Sequence, residues 1–154
     1  MFSALKRTIE INPNHADALN YLGYTYADMG INLDAALDLI KKAVELEPES
    51  GYIRDSLGWV YFKKGMYEEA LRLNPHLAEA RVNLGHLFLK ADRYAEARRQ
   101  FEEAAQVNDS WADVHLGLSC ATAAEGDIES CVNECSKLLS ILGLPGGSVL
   151  NSIS

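Results

Sequence analysis

The sequence predicts an all-α fold, an array of antiparallel helix hairpins, from three observations. Leu22-Gly23-x-x-Tyr26, Leu57-Gly58-x-x-Tyr61 and Leu84-Gly85-x-x-Phe88 repeat one phrase along the 154 residues. An alanine follows each first glycine at 12 or 13 residues, at Ala36, Ala70 and Ala97. Prolines keep the same interval: Pro13 to Pro48 is 35 residues and Pro48 to Pro75 is 27, matching Gly23 to Gly58 and Gly58 to Gly85. Self-similarity at this period marks small units that bury their apolar faces only against neighbours. The chain therefore reads as a binding scaffold.

Each element follows from local pattern. Phe2 to Ile11 has helical apolar spacing and stops at Asn12-Pro13, as the second half of a unit whose first half is absent. Over 16–28, Ala18, Leu22 and Tyr26 fall at i, i+4 and i+8, one helical stripe, and Gly23 admits a close neighbour. Over 34–46 that neighbour presents Ala36, Ile40 and Ala43. Glu47-Pro48 and Asn74-Pro75 end later helices, because the residue before proline disfavours helix. The same reasoning places first helices of hairpins at 51–64, 77–91 and 111–125, and second helices at 67–73, 94–107 and 128–142. One domain is expected, with a partial repeat at 1–15, repeats near 16–50, 51–77, 78–111 and 112–145, and a tail at 146–154. Leu142 to Ser148 reads as a helix stop and linker, and Ser148-Val149-Leu150-Asn151 as the opening of a further helix.

The second unit is short. Ala70 to Pro75 is five residues, whereas Ala36 to Pro48 is twelve. Seven residues are about 10 Å of helix and nearly two full turns, so the remaining face stays in phase. A natural deletion, an engineered junction, or residues absent from the sequence after Leu71 would each produce this shortfall.

With Leu22, Gly23, Tyr26, Ala36, Ile40, Ala43 and Pro48 in one unit, and Leu84, Gly85, Phe88, Ala97, Phe101 and Ala104 in another, the chain resembles the tetratricopeptide repeat family. The phrasing of its first two units is similar to bacterial members. The family's Trp position holds Leu19, Arg54, Arg81 and His115, and the fourth unit substitutes Ser119, Thr122, Cys131 and Cys135 at the Gly, Tyr, Ala and Phe positions. The resemblance implies a right-handed α-α superhelix that acts as a protein-interaction scaffold without catalysis or cofactor.

Composition narrows the function further. A net charge of −8 and a pI near 4.9 oppose a phosphate-tracking surface, so no nucleic-acid partner is expected. No apolar run reaches the ~18 residues of a membrane span, and Met1 to Arg7 lacks the order of a signal peptide. Cys120, Cys131 and Cys135 are an odd set, which favours a reducing compartment and hence the cytoplasm, with an upstream targeting segment left open. Cys131 and Cys135 lie one helical turn apart, but no His-Cys cluster completes a zinc site, and they read as packed thiols with no metal. The chain has no G-x-S-x-G, H-E-x-x-H, G-x-G-x-x-G or Walker motif, and no enzyme is expected.

In the family the first helix of each hairpin lines a concave groove that holds a peptide. Carried over, this implies groove positions at Asp17, Asn20, Tyr21 and Tyr24, then Tyr52, Asp55, Ser56, Trp59 and Phe62. Glu79, Val82, His86, Leu89 and Asp113 continue it, and Tyr24, Trp59, His86 and Cys120 share one repeat position. Trp59 and Phe62 either pack on neighbouring helices or stand exposed as contacts. The acidic members imply a protein or peptide ligand with apolar anchors and a basic flank. The cations that chaperone-tail binders carry at such positions are missing, since Asn20, Tyr24, Ser56, Glu79 and Asn83 stand there. The alternative is self-association through uncapped solenoid ends, giving a homo-oligomer.

Overall fold

A computed structural model describes residues 1–145; the expected tail and the helix start at Ser148 lie outside them. Among the described residues the chain is all helical: α1 (Phe2–Ile11), α2 (Ala16–Asp28), α3 (Leu33–Leu46), α4 (Gly51–Lys63), α5 (Tyr67–Leu73), α6 (Ala78–Lys90), α7 (Tyr94–Val107), α8 (Ala112–Glu125) and α9 (Ile128–Ile141). Each lies within one residue of its expected bounds. The helices fall into two compact units, Met1–Pro75 and the chain from His76 onward.

In the first unit, Leu19, Leu22, Tyr26 and Ala27 of α2 meet Ala36, Ile40 and Ala43 of α3 and Ile53, Leu57 and Val60 of α4. Phe2, Leu5 and Ile9 of α1 pack against that core. Gly23 is where α2 and α3 come closest: a Cβ there would stand 2.6 Å from Ile40 Cγ1 and 3.0 Å from the Ala36 carbonyl oxygen. Gly30, at φ 67°, then reverses the chain, and the Ile31 amide donates to the Tyr26 carbonyl at 2.9 Å. That bond satisfies a carbonyl left open by the helix end.

Helix α5 runs unbroken through Leu71 and Arg72 as a seven-residue helix, and the Asn74 amide donates to the Ala70 carbonyl at 2.8 Å. Its brevity removes the residue that would press on α4. A Cβ at Gly58 would meet only Leu73 Cβ at 3.6 Å and the Ala70 carbonyl oxygen at 3.8 Å, ordinary contacts. Gly58→Ala is therefore expected to be neutral or to stabilise by up to about 1 kcal/mol, through helix propensity alone. Gly23→Ala should destabilise. Urea melts of the two variants check this, and equal losses would show that α5 packs as tightly as α3.

The second unit has a core of Val82, Ala97, Phe101, Ala104, Val114, Leu118 and Ala121. Phe101 is fully buried, and its ring occupies a slot between Gly85 of α6 and Gly117 of α8. A Cβ at Gly85 would lie 2.8 Å from Phe101 Cζ, and one at Gly117 closer still. Asp127 caps α9, accepting from the Ser130 amide at 3.1 Å and from Arg98 at 3.1 Å. The bonds from Ser130, and then the Arg98 charge, hold the Asp127 carboxyl below its usual range.

Candidate functional site

In the first unit, α2 and α4 present Asp17, Tyr21, Tyr24, Tyr52 and Asp55 to solvent. Tyr21 and Tyr52 each keep 53 % of their surface and Tyr24 keeps 42 %. The Tyr52 hydroxyl donates to the Asp17 carboxylate, tying α4 to α2. That bond holds the Tyr52 phenol above its usual range.

Trp59 and Phe62 combine the two sequence readings: both are half-buried and stacked on each other, with ring centroids 5.2 Å apart. Trp59 packs on the core from one side while the Lys63 ammonium sits 5.4 Å from its ring. Asn20 and Ser56 are buried, and the Ser56 hydroxyl donates to the Tyr52 carbonyl at 3.0 Å. Asn20 Oδ1 and Trp59 Nε1 are buried without a hydrogen-bond partner, both on helices of this face.

In the second unit, Glu79 and Asp113 are exposed while Val82 belongs to the core. Leu89 packs against that core, and His86 is half-buried, edge-on to Phe101 at 5.1 Å. Of the positions expected to line a groove, the acidic ones thus stay at the surface, and the apolar ones of the second unit are used in packing. Among the described residues, no three or more His, Cys, Asp or Glu side chains are grouped to hold a metal ion. No helix among them is long and apolar enough to cross a membrane.

Three polar anchors were hidden behind the departures at the Trp position. Arg54 donates to the Pro48 carbonyl at 2.9 Å, and Arg81 pairs with Glu103 and with Gln100. His115, 1 % exposed, places Nε2 2.7 Å from the Asp109 carbonyl and Nδ1 2.5 Å from Glu134. The sequence signal was a charged or polar residue at a core-facing repeat position. Its partners lie 6 to 22 residues away, beyond what periodicity shows.

Residues 4–38 and 64–119 each match a family model described as tetratricopeptide repeat, together more than half of the chain. A TPR repeat-containing protein of Pseudomonas aeruginosa is 41 % identical over 68 residues, which is 44 % of this chain and 12 % of that protein. The matched stretch thus spans about an eighth of the curated relative's length. Among solved structures, MamA superposes with a TM-score of 0.68 at 23 % identity, over 92 % of this chain and 86 % of that one. A tetratricopeptide repeat protein from Parabacteroides merdae gives 0.61 at 22 % identity, over 97 % of this chain and 61 % of that one. These two likenesses show the fold.

Proposed function

Since the chain belongs to the tetratricopeptide repeat family, we propose that it is a protein-interaction scaffold, and that α2 and α4 bind a peptide segment of a partner. The observation that carries this is the exposed trio Tyr21, Tyr24 and Tyr52 set beside Asp17 and Asp55. Aromatic side chains left at a surface supply contact area at low entropic cost. Their faces attract Lys and Arg, and neighbouring carboxylates complement the same cations. The ligand is a peptide with apolar anchors and a basic flank.

An array of immobilised peptides with basic and apolar positions varied provides the ligand, and calorimetry with the best peptide measures it. Tyr24→Ala and Trp59→Ala are each expected to weaken binding about tenfold or more, roughly 1.4 kcal/mol, with the helical signal unchanged. Replacing the peptide's cations or raising salt should weaken it as well. Unchanged affinity in both folded variants would sink the reading.

Self-association is the second reading, favoured by the sparse burial of two helices: α1 has no buried residue and α9 has only Ser136. A mass that rises with concentration would support it.

A further inference from the structure

Side chains three or four residues apart share one face of a helix. Asn20 therefore stands on α2 in a stripe with Asp17 and Tyr24, and Trp59 stands on α4 in a stripe with Tyr52 and Asp55. The two helices pack together, and the Tyr52 hydroxyl bond to Asp17 joins the stripes. Asp17, Tyr24, Tyr52 and Asp55 are exposed. The same stripes carry two buried polar atoms that have no hydrogen-bond partner among the described residues, Asn20 Oδ1 and Trp59 Nε1. Asn20 as a whole keeps 7 % of its surface.

Folding takes both atoms out of water without replacing the hydrogen bonds they made there, which destabilises the free chain. One is an acceptor and the other a donor. The group that complements both is an amide, with one N–H and one carbonyl oxygen. In a helical ligand the main-chain amides are already bonded to one another, whereas an extended segment has them free. We propose that the partner segment lies across α2 and α4 in extended form, donating a main-chain N–H to Asn20 Oδ1 and accepting at a main-chain carbonyl from Trp59 Nε1. This rests on the reading of these helices as a peptide site and adds what the segment's backbone does there.

Access comes from side-chain rotation. Trp59 is half-buried, so its indole can turn at the surface and carry Nε1 outward without backbone movement. The terminal torsion of an asparagine is broad, so Oδ1 follows with a turn of its amide. The two atoms thus destabilise the free chain and stabilise the complex. A change that helps folding should harm binding.

Asn20→Leu and Asn20→Ala remove the acceptor with a larger and a smaller side chain. At least one of them is expected to raise the urea midpoint, while both weaken the best peptide of the array about tenfold. In a series of that peptide, each main-chain amide is replaced in turn by an ester, which lacks the N–H. One ester should cost the wild-type chain about tenfold in affinity and cost the more stable Asn20 variant nothing. Trp59→Phe keeps a ring and loses the N–H, and should weaken binding by a similar factor with the helical signal unchanged. A midpoint that falls in both Asn20 variants would mean that Oδ1 is satisfied in the free chain, and would overturn the proposal. So would an ester series with the same losses in the wild-type chain and the Asn20 variant. Binding that Tyr24→Ala abolishes but that Trp59→Phe and both Asn20 variants leave unchanged would overturn this inference and leave the peptide site standing. An array on which no peptide binds would remove both.

Discussion

Phe101→Ala is expected to cost about 3–5 kcal/mol, the range for removing a fully buried aromatic ring. The side chain has 0 % exposure and fills a slot walled by α6 and α8, with His86 edge-on to it. Gly85 and Gly117 approach the ring from two helices, so it has little room to shift toward either. For that reason Gly117→Ala should also destabilise strongly, because the new methyl would meet the ring and the ring would press toward Gly85. The two changes share one space and so cannot add. In the Phe101→Ala background, Gly117→Ala should cost much less than in the wild-type chain. Urea denaturation of the four proteins measures this. Additive losses would mean that ring and glycines do not share the slot.

That slot also shows how far the sequence can be read. Gly85 and Phe101 stand at repeat landmarks, and so do Gly23 and Ile40, which meet in the first unit. Their approach follows from the period, because positions that repeat in sequence repeat in packing. Gly117 belongs to no landmark, yet it lies against Phe101, since a third helix adds its own register to the pair. Gly58 carries the opposite lesson: it matches the landmark, but the short α5 leaves it without a bulky residue to receive. The helix bounds were legible because Pro and Gly punctuate them. The exposure of the expected groove residues was less so. Periodicity places Trp59 and Phe62 on one face of α4 but does not say how much of that face α2 and α5 cover, and the rings are half-buried. The exposure of the acidic positions was easier to read, because a charged residue with no partner in the core stays in water, as Asp17, Asp55, Glu79 and Asp113 do.

His115 is where departure from the family pattern has the largest expected consequence. A large apolar residue at this position would need no partner, but an imidazole 1 % exposed does. It finds two acceptors: the Asp109 carbonyl, which can only accept from Nε2, and the Glu134 carboxylate, which faces Nδ1. The two contacts tie the turn before α8 and the middle of α9 to one ring. His115→Ala removes both bonds, leaves a cavity and strips a partner from the largely buried Glu134, for an expected loss of about 2–4 kcal/mol. Glu134→Ala should cost less, since Asp109 still holds the ring. Glu134→Gln should cost least, because a carboxamide can donate to an unprotonated Nδ1 or accept from a protonated one. Lys137 loses its ion pair with Glu134 in both substitutions, so that exposed contact does not separate them. Denaturation midpoints should therefore fall in the order Glu134→Gln, Glu134→Ala, His115→Ala. Equal losses for the two Glu134 variants would mean that His115 is held by packing and the Asp109 carbonyl alone.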